Sequence, residues 1–191
     1  MVALSTVLSL IKLFELPYGG SITLCSMLPI LIYGYRYGVK WGAFVGFVYS
    51  MLQFVLDTSV IRGFTLASAV GVILFDFIAA FTVLGLSGSF RNRFKNQLLS
   101  FGLGAFAAML LRYLSHVLSG AIFFGSYAQW YFSQEGMSMG SWALSNFHGA
   151  ALPVFYSIVY NASYMLPELV ITLAVGCALV RMTGKQLFPK N

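Results

Sequence analysis

Charge is scarce in this sequence. Asp, Glu, Lys and Arg make up 8% of its 191 residues, whereas a soluble domain carries roughly 25%. So few charges cannot solvate a globular surface, and lipid must cover much of the chain. Cysteine is nearly missing as well, with Cys25 and Cys177 the only two. One falls towards the outer end of the second predicted helix and the other towards the inner end of the last, so a disulfide between them is excluded on geometry. No CxxC or other metal-ligand spacing occurs. Nor is there a nucleotide-binding phosphate loop, since Gly184-Lys185-Gln186 lacks the upstream glycine and the hydroxyl residue. H-E-x-x-H, G-x-S-x-G and the inverted repeat of secondary transporters are also absent. No metal and no cofactor is implied.

Apolar residues are plentiful: 59% of the chain is hydrophobic and the mean hydropathy is +0.85. At ~20 apolar residues per span, this length holds about six helices and their turns. The expected fold is an all-α integral membrane bundle of six transmembrane helices, forming a single domain over residues 1–191. The net charge of +6 is grouped. Arg36 and Lys40 share one junction, Arg91, Arg93 and Lys95 another, and Arg181, Lys185 and Lys190 end the chain. These are alternate junctions, so all the clusters lie on one side, which the positive-inside rule makes cytoplasmic. Both termini are then cytoplasmic, and the basic residues read as topology signals and not as a nucleic-acid surface.

Helix one is expected from about Met1 to Leu16, ending at the breaker Pro17-Tyr18-Gly19-Gly20. It has no basic leading region, so it reads as a span and not a cleavable signal, and its shortness leaves room for residues ahead of Met1. Helix two is expected over Ile22 to Tyr37 with Pro29 inside it. Helix three runs from Trp41 to Leu56, helix four from Phe64 to Leu86, helix five from Leu98 to Phe124, and helix six from Ala150 to Val180. The long segment from Gly125 to Gly149 carries Trp130, Tyr131, Phe132, Trp142 and Phe147 and suits the outer interface. Gly34 with Gly38, and Gly42 with Gly46, have the spacing that lets helices approach closely.

Ionisable groups inside a span cost roughly 2.5–3.5 kcal/mol each on insertion scales, so each needs a reason. The candidates are Asp76 in helix four, Arg112 and His116 in helix five, and Glu168 in helix six. At ~1.5 Å rise per residue, Asp76 and Arg112 both lie ~18 Å from the outer ends of antiparallel helices. A structural Asp76–Arg112 ion pair is therefore one expectation, and a ligand role for Asp76 is the other. Arg112 and His116 are one turn apart on one face. Tyr156, Tyr160 and Tyr164 form a stripe in helix six, with Asn161 and Glu168 on a neighbouring face. A lone buried histidine or a tyrosine stripe is ordinary interior packing. A mid-helix amide must find a partner in lipid, and Glu168, beside Pro167, can serve backbone loosened by the proline. Together these residues describe an outward-facing pocket holding an acid, an imidazole, an amide and several rings. Such a pocket suits a small aromatic cation, because rings attract the charge and the carboxylate neutralises it.

The run Gly19-Gly20-Ser21-Ile22-Thr23-Leu24-Cys25-Ser26-Met27-Leu28-Pro29 closely resembles the "GGSITL-x-SM-x-P" stretch of the ThiT/YuaJ family, the thiamine-specific S components of energy-coupling factor (ECF) transporters. The likeness continues through Arg36-Tyr-Gly-Val-Lys-Trp-Gly42, Leu84-Gly-Leu-Ser-Gly88, Arg112-Tyr-Leu-Ser-His116 and Tyr160-Asn-Ala-Ser-Tyr-Met-Leu-Pro-Glu168, nearly the whole chain. The resemblance implies a multi-pass protein of the bacterial cell membrane that captures thiamine outside. Its implied partners are a T component and two ATPase subunits. It places ligand-binding positions on Asp76, Phe77, His116, Phe124, Tyr156 and Asn161. The family's acid is often Glu, its following ring Tyr, and its helix-five ring Trp, where this chain has Asp76, Phe77 and Phe124. A Trp before helix two falls on Gly20, so Trp130 or Trp142 would have to supply stacking. Docking on the T component through small residues four apart in helix one falls on Ala3 and Val7, with Ser5 and Ser9 as an alternative. An S component for a thiamine precursor or related vitamin is the nearest alternative. An intramembrane enzyme using His116 with Asp76 is the rival from another class, and it lacks an activated nucleophile or metal-ligand set.

Overall fold

A computed structural model describes residues 1–16 and 20–187, with side chains as far as Thr183. Residues 17–19 of the breaker cluster and the terminal Lys190 lie outside the described residues. The described residues contain one two-stranded hairpin and eight helices, besides short 3-10 turns at Thr58–Ile61 and Gly125–Tyr127: α1 Val2–Leu10, β1 Lys12–Glu15, β2 Ser21–Thr23, α2 Leu28–Tyr37, α3 Val39–Leu56, α4 Leu66–Phe90, α5 Gln97–Phe123, α6 Ala128–Phe132, α7 Gly140–Asn146 and α8 Ala151–Leu187. Four of them, α3, α4, α5 and α8, are long and apolar enough to cross a membrane.

Six spans are expected from the sequence, and among the described residues four helices reach that length and apolarity. Helix one stops after nine residues, about half a bilayer at ~1.5 Å per residue, and the remainder becomes β1. The segment Ile11 to Leu16 carries two charges, Lys12 and Glu15, which pair with each other at the surface. The Ser21-Ile22-Thr23 segment, with β-branched Ile22 and Thr23, offers a pairing edge, with Lys12 opposite Thr23 and Glu15 opposite Ser21. Helix two begins six residues later than expected, because Cys25 turns with φ 54° and Pro29 sits in the first turn. There its missing N–H costs nothing.

Helices α2, α3 and α4 meet backbone to backbone. A Cβ on Gly42 would lie 2.5 Å from the Gly34 Cα, and one on Gly85 would collide with the Ala43 backbone. Gly34, Gly42 and Gly46 therefore do serve packing, as their spacing suggests, while Gly38 serves the α2–α3 turn with φ 92°. Within α4 the ladder widens to i→i+5 bonds over Ile73–Ala79 and tightens to i→i+3 over Val83–Phe90. A widened turn rotates the residues beyond it onto another face, and such turns recur at functional sites. Asp76 lies in this one.

The Arg36/Lys40 turn, the Arg91 to Lys95 loop and Arg181 share one end of the bundle by connectivity. The hairpin, the 57–63 link and the 125–149 segment occupy the other end. That segment is folded, with Ala128 and Phe132 of α6 and Ala143 of α7 in one buried cluster with Tyr156 and Tyr160 of α8.

Candidate functional site

A cavity of ≈ 630 Å³ opens at the end away from the basic clusters. Asp76, Phe77, His116, Phe124, Tyr156 and Asn161 all line it. Helices α4, α5 and α8 supply them from three sides, and the hairpin reaches in through Gly20, whose N–H donates to the Tyr160 hydroxyl at 3.2 Å.

The carboxylate is set by α5. His116 Nδ1 lies 2.9 Å from Asp76 Oδ1, and the Ser119 hydroxyl donates to Asp76 Oδ2 at 2.7 Å. Ser119 is not among the binding positions expected from the sequence, although it falls in a string, Ser119 to Tyr127, that shares the family resemblance. Its signal was there, because it sits three residues after His116 and shares its helix face. The hydroxyl is spent on the carboxylate and not offered to the imidazole, so the trio is not arranged as a nucleophile with its base. His116 Nε2 is buried and has no hydrogen-bond partner.

The expected Asp76–Arg112 pair does not form. Arg112 Nη1 instead lies 3.3 Å from Glu168 Oε2, and its guanidinium stands 4.9 Å over the Phe81 ring. The other Glu168 oxygen accepts from the Thr23 hydroxyl at 2.5 Å, and Thr23 meets Ser26 at 2.7 Å. Depth alone suggested Asp76, but α8 brings a second carboxylate to Arg112, and the Asp76 oxygens are taken by His116 and Ser119. Glu168 therefore answers a cation and not loosened backbone.

Asn161 is fully committed on its donor side. Its Nδ2 donates to the Ser157 carbonyl at 2.8 Å, with the Ser157 hydroxyl at 3.2 Å and the His116 carbonyl at 3.4 Å. Its Oδ1 accepts from the Tyr164 hydroxyl at 2.7 Å. The close crossing of α5 and α8 makes this possible, because Gly120 leaves room for Ser157.

Rings form the walls. Tyr156, Tyr160 and Tyr164 follow one another at 5.6 and 5.9 Å between centroids, Phe77 meets Phe54 edge-on, and Phe124 meets Phe64 edge-on. Neither Trp130 nor Trp142 lines the cavity. Trp142 packs on Phe147 and Phe155, and Tyr127 is the lining ring from the outer segment. Supply of stacking by those tryptophans is thus not realised here. A recessed carboxylate among rings is a cation site in chemical terms.

Comparison with known proteins gives three results. The profile of the family described as Thiamine transporter protein (Thia_YuaJ) matches residues 1–188. The thiamine transporter ThiT of Bacillus subtilis (strain 168) is 31% identical over 203 residues, covering 100% of this chain and 91% of that protein. A solved structure of ThiT from Listeria monocytogenes superposes with a TM-score of 0.68 at 24% identity, covering 98% of this chain and 93% of that one. The last result speaks for the fold.

Proposed function

The chain belongs to the thiamine transporter protein (Thia_YuaJ) family, and we propose that it is a thiamine-capturing S component of an ECF importer, taking the vitamin from outside the cell. The family transports and is not an enzyme family. The observation that carries the reading is Asp76, a carboxylate lining the cavity and held by the His116 ring nitrogen and the Ser119 hydroxyl, with no Lys or Arg in ion-pair contact with it among the described residues. The buried carboxylate of the same cavity, Glu168, is matched by Arg112.

Thiamine joins a thiazolium cation to an aminopyrimidine. Asp76 supplies the opposite charge, Phe77, Phe124 and Tyr156 supply ring faces, and His116 and Asn161 supply hydrogen-bonding atoms. In a water-poor cavity such contacts are worth more than at a surface. The grouping of Arg36, Lys40, Arg91, Arg93 and Lys95 at the far end supports an outward-facing cavity and cytoplasmic termini. The resemblance to S components supplies the partners, a T component and two ATPase subunits.

No tryptophan lines the cavity, so calorimetry is a better probe than intrinsic fluorescence. Thiamine titrated into the purified protein in detergent should give one saturable site per chain. Absence of saturable heat, together with unchanged melting on adding thiamine, would remove this reading.

A further inference from the structure

At the end of the bundle opposite the cavity, two basic junctions converge on one patch. Arg36 and Lys40 flank the α2–α3 turn, and Arg91, Arg93 and Lys95 follow α4. A Cβ on Gly88 would collide with the Gly34 carbonyl and lie 3.3 Å from the Gly38 Cα, so the end of α4 rests on that turn. The Tyr35 hydroxyl donates to the Gln97 carbonyl at 3.3 Å and ties the start of α5 to the end of α2. Arg91, whose N–H donates to the Gly88 carbonyl at 3.1 Å, is thereby held beside the Arg36–Lys40 turn. No acidic side chain offsets these charges. Of the five Asp and Glu residues, Glu15 lies in β1, Asp57 follows α3 at the cavity end, Asp76 and Glu168 line the cavity, and Glu135 is in the 125–149 segment.

Rings and apolar surface adjoin the patch. The Arg36 guanidinium lies 5.2 Å over the Tyr37 ring, which meets Tyr33 at 4.5 Å, so this half-buried cation is held by aromatic contact. Trp41 is exposed next to Lys40, and Phe44 and Phe47 continue the exposed side of α3, while Gly42 and Gly46 press on α4 from its other side. We propose that Arg36, Lys40 and Arg91, together with Trp41, form a headgroup site for one anionic phospholipid of the surrounding bilayer. Phosphate oxygens meet the guanidinium forks and the ammonium, and an acyl chain lies along Trp41, Phe44 and Phe47. A soluble acidic partner would satisfy the cations and leave that apolar stripe bare, which is why the occupant is a lipid. The site is separate from the thiamine reading and does not depend on it.

Trp41 reports on the site directly, because the other two tryptophans, Trp130 and Trp142, lie in the segment at the opposite end. In a Trp130→Phe/Trp142→Phe background, the protein is placed in vesicles mixing phosphatidylcholine with phosphatidylglycerol. One lipid or the other carries brominated acyl chains, which quench tryptophan on contact. A basic group beside an anionic headgroup is worth about fivefold in affinity, so phosphatidylglycerol should be preferred at Trp41 by at least that factor. The preference should vanish in Arg36→Gln/Lys40→Gln/Arg91→Gln. It should also shrink in ~0.5 M salt, where charges at an exposed patch are screened. Equal quenching by the two lipids would overturn the site, as would a preference that survives both the salt and the triple substitution. Inorganic phosphate added at constant ionic strength should leave the quenching unchanged. Loss of the preference on adding it would assign the patch to a free anion and overturn the lipid. Should either variant fail to fold, native mass spectrometry of the unaltered protein decides. One phosphatidylglycerol should be retained where phosphatidylcholine is lost, and loss of both alike would overturn the site.

Discussion

Arg112 and Glu168 face each other at 3.3 Å, with side chains 9% and 2% exposed, and join α5 to α8 beneath the cavity. Removing one partner of a buried pair typically costs 3–5 kcal/mol, because the other charge is left bare. Glu168→Gln should therefore lower the detergent melting temperature sharply, and Arg112→Met should do the same. The double variant Arg112→Met/Glu168→Leu should recover much of the loss, since replacing both charges by packed apolar groups is often near neutral. Three melting curves decide it. A double variant no better than either single one would show that the network with Thr23, and not the charge pair, holds the helices.

A second prediction concerns the glycine seam. Gly85 leaves no room for a side chain against Ala43, and Gly34 none against Ser87. Gly85→Ala should separate α3 from α4 and cost roughly 1–3 kcal/mol, the usual penalty for overpacking. Gly63→Ala offers a contrast, because no atom crowds that position and only its φ of 85° resists substitution. Melting temperatures of the two should fall in that order, with Gly85→Ala lower.

The helix order and the polar residues of the spans were legible in the sequence because their signals are local. Apolar length marks α3, α4, α5 and α8, and a charge in a span is conspicuous one residue at a time. Who pairs with whom was not legible. Depth along antiparallel helices placed Asp76 beside Arg112, yet partner choice is a three-body matter that α8 decides. The hairpin was hidden for a related reason. Ile11, Leu13, Phe14 and Leu16 continue the apolar character of helix one past Lys12 and Glu15, and pairing with Ser21–Thr23 makes Lys12–Glu15 a strand. The widened turn at Asp76 has no composition signal at all.

Topology is tested by accessibility. Ser138 is exposed in the segment placed outside. In a background with Cys25 and Cys177 replaced, Ser138→Cys should react with a membrane-impermeant maleimide in intact cells. Labelling only after lysis would invert the orientation.

The proposed docking on a T component through α1 can be tested at its exposed face. Ser5 is buried, and Ser9 is engaged with the Thr6 carbonyl and Gln53, so that pair faces inward and not towards a T component. Ala3 and Val7 are exposed. Ala3→Trp/Val7→Trp should abolish thiamine uptake in cells while sparing binding to the purified protein. Normal uptake in that variant would place docking elsewhere.

The decisive substitution is Asp76→Asn. Asp76 makes two hydrogen bonds and no contact with Arg112, so neutralising it strands no buried cation. The amide keeps the shape and can still accept from Ser119. Melting in detergent should therefore stay close to that of the unaltered protein. Binding should not, because the charge opposing the thiazolium is gone. A hydrogen bond to a charged group is worth roughly 1.5–3 kcal/mol, so thiamine affinity should drop about ten- to a hundredfold. The contrast with Glu168→Gln makes the experiment sharp: one carboxylate should matter for the ligand and the other for the fold. Calorimetry and melting on the same two preparations measure both. If Asp76→Asn keeps its affinity and loses stability, Asp76 is a structural acid for His116 and Ser119, and the cation must be met by ring faces alone.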